Sequence, residues 1–232
     1  TALGWVERGL ALARSDNKES FSLHGLEELK RSLLTRLGRT GDALASAWSD
    51  YSQHPDIFTY RVLMRYVPAK EKASWHAKAM EAAEGGDFTS QIDLWLEKKE
   101  MERLLARLKK APDKELEGLS HYWAEPLARE FERSHPDQAA RVYRALCLRI
   151  VNAGKSKYYD AALDHLAQAK KCYTLAGLEA GWKAVVADVR RHHFRKQGFM
   201  AGFEEIVAEG ARRVGPTFLE RAKQRWPGAK IP

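Results

Sequence analysis

Apolar residues recur at three- and four-residue steps along almost the whole chain, whereas the strict alternation that is typical of β-strands is nearly absent. Between Ser22 and Gly38 the apolar stripe consists of Leu23, Leu26, Leu29, Leu33 and Leu37. On an ideal helix these positions share one face, which leaves Arg31 among the polar positions. The pattern predicts an amphipathic helix here, and its repetition predicts an all-helical chain.

Glycine and proline divide this pattern into short segments. The breaks fall at Gly38, Pro55, Pro68, Gly85, Pro112, Gly154, Gly177 and Gly198. Two aspartates, Asp42 and Asp137, can help to cap the helices that begin beside them, and Asp56 and Asp87 open two further segments. The sequence therefore predicts about ten or eleven helices of about 10–20 residues, and their short connections favour antiparallel neighbours.

Three segments carry the small-residue and aromatic pattern of a tetratricopeptide (TPR) helix, at residues 41–55, 136–143 and 159–166. Their spacing is not a steady 34 residues. We expect an all-α fold, an array of antiparallel helical hairpins that is TPR-like or an α-solenoid, with a compact irregular helical domain as the alternative. Tryptophans on the apolar stripes pack between hairpins in this fold, so removing Trp123 or Trp182 is predicted to cost a few kcal/mol.

The expected organisation is one helical-repeat domain over residues 1–232. Within it, residues 1–112 form N-terminal hairpins, 113–210 form C-terminal hairpins and 211–232 form a basic tail. The chain does not begin with Met, so we expect a piece of a larger protein.

A more specific pattern appears at residues 155–199. It contains Ser156, Lys157, Tyr158 and Tyr159 at the start of one segment, then Trp182, then a basic His- and Arg-rich stretch that ends at Phe199. This order resembles the C-terminal helical region of bacterial SWIM zinc-finger proteins, over residues 116–203. The resemblance implies a helical part that mediates assembly and a finger that binds DNA or protein.

The zinc ligands of that family lie in an upstream C-x-C…C-x-H element, which has no match in this chain. The two cysteines, Cys147 and Cys172, stand apart and are too few for a zinc site. We therefore expect no cofactor in this chain, and zinc only where a finger precedes it. Two isolated cysteines are typical of reduced, buried thiols in a cytoplasmic protein.

Charge is distributed unevenly. Residues 1–140 hold 21 basic and 23 acidic residues, whereas residues 141–232 hold 18 basic and 8 acidic residues. The formal net charge of +8 therefore belongs to the C-terminal part. The candidate polyanion-binding residues are Lys183, Arg190, Arg191, Arg195, Lys196, Arg212 and Arg213. A solvated helix surface that complements the helix dipole is the alternative interpretation.

Catalytic patterns are weak in this sequence. Phosphate-binding glycine loops and nucleophile-elbow motifs are absent. His192 and His193 are adjacent and point about 100° apart on a helix, so they do not chelate one ion, and His193 is expected at the edge of the core. An all-helical DNA glycosylase that uses Trp182 and Asp188 is the enzymatic alternative.

The leading hypothesis is a non-enzymatic interaction module that binds a protein partner in a helical groove. A DNA- or RNA-contacting module that uses the basic C-terminal part is the second hypothesis. No apolar run approaches the roughly 20 residues that cross a bilayer, and the chain lacks a signal-peptide pattern. We therefore expect a soluble, cytoplasmic protein with no membrane partner.

Overall fold

The computed structural model describes residues 1–15 and 21–208, and every regular element within these ranges is helical. The chain divides into two compact units, Thr1–Glu100 and Met101–Pro232. The prediction of an all-α helical array is confirmed. The division falls between Glu100 and Met101, before the sequence subdivision proposed at residue 112.

The first unit contains six described α-helices. They are α1 (Ala2–Ser15), α2 (Phe21–Arg36), α3 (Thr40–Gln53), α4 (Ile57–Tyr66), α5 (Lys72–Ala82) and α6 (Phe88–Lys98). Consecutive helices α1 to α4 pack against one another, and α5 contacts both α3 and α4.

The second unit contains seven described α-helices. They are α7 (Met101–Lys110), α8 (Asp113–Gly118), α9 (His121–Phe131), α10 (Pro136–Asn152), α11 (Tyr159–Leu175), α12 (Glu179–His193) and α13 (Gln197–Ala208). The α10–α11 hairpin is the most extensively packed pair, and α9 and α13 lie against it.

Several predicted helix ends are confirmed. Gly154 and Gly177 follow α10 and α11 with φ of 63° and 67°, a left-handed conformation that glycine adopts without strain. Asp56 caps α4 by accepting the Thr59 amide at 2.8 Å, and Asp87 caps α6. The predicted caps at Asp42 and Asp137 are wrong. Asp42 lies inside the first turn of α3, whose N-cap position is Arg39. Pro136, which has no N–H to donate, takes the first helical position of α10, so Asp137 lies inside its first turn.

The core of the second unit is built around small side chains. Ala139 and Ala140 of α10 and Ala162 and Ala169 of α11 are completely buried, which allows the two helices to approach closely. The aromatic residues Phe199 and Phe203 of α13 are also fully buried. Both cysteines, Cys147 on α10 and Cys172 on α11, are free and buried in this core, as the sequence predicts.

The interior of the first unit corrects the leucine stripe predicted for α2. Leu29 and Leu37 are 47% and 62% exposed, whereas Arg31 is fully buried. The buried face of α2 passes through Arg31 because its Nη1 lies 3.3 Å from an Asp50 carboxylate oxygen on α3. A paired guanidinium can occupy an interior position that hydrophobicity alone assigns to leucine.

None of the described helices combines the length and the apolar character that crossing a bilayer requires.

Candidate functional site

A pocket of about 310 Å³ lies within the second unit, where the start of α9, the end of α10 and the start of α11 meet. Its apolar wall comes from Leu146, Ile150, Ala153 and Ala161. The two alanines have small side chains, which leaves room between α10 and α11. The volume is at the lower end of the range for ligand pockets, enough for one or two side chains of a partner.

The polar wall of this pocket is cationic. Its polar lining residues are Ser120, His121, Arg149, Lys155, Tyr158 and His165, and the lining set includes no carboxylate. Arg149 and Lys155 are exposed, so their charges stand at the rim. The pocket therefore pairs an apolar wall with two uncompensated positive charges at its entrance.

The local sequence explains how the rim forms. Gly154, in the left-handed conformation, ends α10 and turns the chain, and Ser156–Tyr158 then form a single 3-10 turn before α11. This turn places Lys155 and Tyr158 on the pocket. On the other side Ser120 begins α9, so the partial positive charge of that helix start adds to the pocket.

Ser120 also divides an apolar stripe of the sequence into two helices. The stripe from Leu116 to Phe131 forms two helices, α8 and α9, because the Ser120 side chain accepts the Tyr122 amide and starts a new helix.

The two histidines of the pocket, His121 and His165, have different surroundings. Burial lowers the pKa of His121, and the nearby Arg149 charge lowers it further, so its imidazole is neutral at pH 7. His165 is buried and its ring stacks on Tyr143, with centroids 6.3 Å apart. Arg149 and Lys155 therefore carry positive charge beside a neutral His121.

The predicted polyanion set is only partly available at the surface. Arg190 donates two hydrogen bonds to the Glu204 carboxylate, at 2.9 and 2.6 Å, and this pairing lowers the pKa of Glu204. Lys196 donates to the Val151 carbonyl at the end of α10. Both charges are therefore engaged within the fold.

Three exposed members of that set, Lys183, Arg191 and Arg195, lie outside these two pairings. Lys183 and Arg191 lie on the exposed side of α12, and the Arg195 guanidinium sits 5.3 Å from the Phe194 ring centroid. Arg212 and Arg213, and the tail at 211–232, lie outside the described residues. The predicted polyanion-binding role of the described members stays a prediction.

The residues of the SWIM-like motif take separate positions. Tyr158 lines the pocket, and the Lys157 ammonium lies 4.8 Å from its ring centroid. Tyr159 instead packs on Phe199 of α13, with ring centroids 5.6 Å apart. Ser156 begins the 3-10 turn that joins α10 to α11.

Three residues that the sequence analysis singled out, Trp182, Asp188 and His193, lie on α12. Trp182 is half-buried, 6.2 Å from the Tyr173 ring. Asp188 lies about 120° around α12 from Trp182, on a different face, and its carboxylate contacts His192 at 3.0 Å. His193 is 8% exposed, which agrees with its predicted place at the edge of the core.

Within the described ranges, no group of three or more His, Cys, Asp or Glu side chains is arranged to hold a metal ion.

Sequence reasoning missed one polar network in the first unit. The Tyr60 hydroxyl lies 2.8 Å from His76 Nδ1, and His76 Nε2 lies 2.9 Å from a Glu100 oxygen. Burial raises the pKa of Tyr60, and the Glu100 charge raises it further, so the phenol stays protonated. The network links α4 to α5 and to the end of α6, and nothing in the spacing of these residues indicates it.

Sequence comparison identifies one family. A family model described as "Family of unknown function (DUF6880)" matches residues 1–201. No curated protein and no solved structure gives a significant match to the chain. The resemblance to SWIM zinc-finger proteins stays a prediction.

Proposed function

The chain belongs to the DUF6880 family of unknown function, and we propose that it is a non-enzymatic helical module that binds an acidic segment of a partner protein. The binding site is the pocket between α9, α10 and α11. The segment supplies a carboxylate or phosphate to Arg149 and Lys155, and an adjacent apolar side chain to the wall formed by Leu146 and Ile150.

The observation that carries this proposal is the composition of the pocket. Two cations stand beside an apolar wall, and no lining residue is a carboxylate. A charge-assisted hydrogen bond from arginine or lysine to an anion is about twice as strong as a neutral one. An apolar neighbour on the ligand would add the burial of its surface, so one short segment satisfies both walls.

The state of the basic residues favours a protein over a nucleic acid. A nucleic-acid duplex requires a run of available cations along its backbone. Arg190 on α12 is bound to Glu204, and Lys196, which follows α12, is bound to Val151, so both are engaged within the run of basic residues. A pocket with two cations instead suits a single anionic group.

Two broader expectations belong to the same proposal. A TPR-like or solenoid arrangement of the hairpins would present the pocket to an extended peptide. A cytoplasmic location agrees with two cysteines that are both free and buried.

The test begins with an array of short peptides in which a glutamate or a phosphoserine stands beside leucine or isoleucine. The strongest binder is then labelled and titrated with the full chain by fluorescence anisotropy. We expect Arg149→Gln and Lys155→Gln each to weaken binding by about tenfold or more, because a hydrogen bond to a charged group contributes about 1.5–3 kcal/mol. Lys183→Gln removes an exposed cation outside the pocket and should leave the affinity unchanged.

Two results would overturn the proposal. In the first, no array peptide binds, or Lys183→Gln weakens binding as much as Arg149→Gln. In the second, duplex DNA binds at about 50 mM salt, is released at about 200 mM, and depends on Arg191 and Arg195, which would assign the basic surface to nucleic acid.

A further inference from the structure

Two tryptophan rings of the first unit meet at an angle around a lysine ammonium. The rings of Trp48 on α3 and Trp75 on α5 have centroids 5.5 Å apart and planes inclined by 69°. The Lys78 Nζ lies 4.1 Å from the Trp48 ring and 4.5 Å from the Trp75 ring. One cation therefore sits within cation–π distance of both rings.

Neighbouring contacts hold this pair of rings, the Trp48–Trp75 corner, in place. The Tyr51 hydroxyl donates to the Ala79 carbonyl at 2.6 Å, which fixes α3 against α5. The Trp75 indole N–H donates to the Glu71 carboxylate at 3.1 Å, which sets the orientation of that ring. Since Tyr51 is fully buried and Trp48 packs on it at 5.9 Å, the corner has a rigid base.

The corner is partly open to solvent. Trp48 and Trp75 are half-buried, and Lys78 and Glu71 are exposed. Two indole rings inclined by 69°, with the Glu71 carboxylate on the Trp75 indole N–H, provide the two attractions that an alkylammonium group requires, the ring quadrupole and a negative charge. The lysine in the corner shows which chemical group the two rings accept.

We propose that the Trp48–Trp75 corner is a binding site for an alkylammonium group of a ligand, and that Lys78 is its internal occupant. The ligand is a lysine side chain, methylated or not, or a small quaternary ammonium compound. Lys78 has a flexible four-carbon stem and an exposed position, so its ammonium can leave the corner for water when the ligand enters. The proposal is independent of the anionic site in the second unit.

Competition between the two cations has a measurable consequence. An exposed cation–π contact changes an equilibrium by about two- to fivefold, and Lys78 makes two of them. A ligand has to displace both contacts in the native chain. Removing the lysine side chain should therefore tighten binding by about five- to thirtyfold.

The experiment follows the indole N–H resonances of the full chain by NMR during titration. The probes are tetramethylammonium chloride and a five-residue peptide with a central trimethyl-lysine, each at an ionic strength held constant with sodium chloride. We expect Lys78→Ala to bind both probes more tightly than the native chain, with the Trp75 N–H shifting most. Lys72→Ala removes an exposed lysine of the same helix and should bind as the native chain does.

Ring substitutions separate the corner from a general effect of charge. Trp75→Leu keeps apolar volume but removes the π face, so binding should be lost, whereas Trp75→Phe should bind with intermediate affinity. Circular dichroism checks the helix content of each variant. If Trp75→Leu is unfolded, the affinity of the double variant Trp75→Phe and Lys78→Ala tests the role of the indole ring instead.

The outcomes are distinct. Tighter binding of the peptide than of tetramethylammonium identifies a lysine-bearing protein segment as the ligand class, and equal affinities identify a small quaternary ammonium compound. The proposal is overturned if Lys78→Ala binds neither probe, if Lys72→Ala tightens binding equally, or if Trp75→Phe binds as tightly as the intact indole.

Discussion

Basic residues have different roles in the two units. In the first unit Lys78 lies on the rings of Trp48 and Trp75, and the fully buried Arg31 lies inside the core beside Asp50. Others, such as Arg61 with Glu97, form exposed ion pairs. In the second unit several of them bind the carbonyl groups at helix ends. The bonds run from Arg141 to Leu108 and Ala111, from Lys170 to Ile206 and Val207, and from Lys196 to Val151.

This difference affects how the excess of basic residues in the C-terminal part of the sequence is interpreted. The last carbonyls of a helix have no partner within the helix, and cations near them also complement the helix dipole. Part of the positive charge of the C-terminal sequence therefore stabilises helix ends. An excess of basic residues overstates the surface that is available to a polyanion, and the available part has to be identified residue by residue.

The largest expected effect tests how the two units use tryptophan. Trp95 of α6 is 2% exposed, whereas Trp182 of α12 is half-buried. We expect Trp95→Ala to lower the free energy of unfolding by about 3–5 kcal/mol through cavity formation, and Trp182→Ala by about 1–2 kcal/mol. Urea denaturation followed by circular dichroism measures both. Equal losses would mean that Trp182 is as important to its core as Trp95.

An intermediate effect concerns the buried cation of the first unit. Asp50→Ala leaves Arg31 buried without its carboxylate, and we expect a loss of about 2 kcal/mol, since Asp50 is partly exposed. Arg31→Met replaces the charge with an apolar side chain of similar length, and the free energy of unfolding should change by less than about 1 kcal/mol. Urea midpoints of the two variants give the comparison, and a larger loss for Arg31→Met would contradict it.

The smallest effect concerns the helix-end bonds of the second unit. Lys170→Met keeps the apolar stem but removes the donor to Ile206 and Val207, so we expect a loss of about 1 kcal/mol. The neighbouring Lys171 is exposed, and Lys171→Met serves as the control with a change below about 0.5 kcal/mol. Thermal melts of both variants decide whether the end of α13 depends on this lysine.

The sequence predicts the helices better than their buried faces. Gly154 and Gly177 end helices where the pattern places them, because a left-handed residue is a local requirement that glycine meets. The face of α2 is different: Arg31 is buried because of Asp50, a residue on another helix. Periodicity has no information about a partner that is distant in the chain.

The candidate sites illustrate the same limit. The pocket draws His121, Arg149 and Lys155 from separate elements, so no motif spacing joins them. Likewise Trp48 and Trp75 are each visible as aromatic positions on a stripe, but their angle and the place of Lys78 between them depend on how α3 meets α5. The basic run at the end of α12 was visible in the sequence, and its internal ion pair with Glu204 was not.

The two buried cysteines allow the opening rate of the second unit to be measured. Burial raises the pKa of Cys147, and burial also raises the pKa of Cys172, to about 11, so neither is a reactive thiolate at neutral pH. One cysteine lies on α10 and the other on α11, and both are buried, so a thiol reagent can reach them only after this hairpin opens. The first unit has no cysteine, so the labelling rate of the native chain reports the opening of the second unit alone.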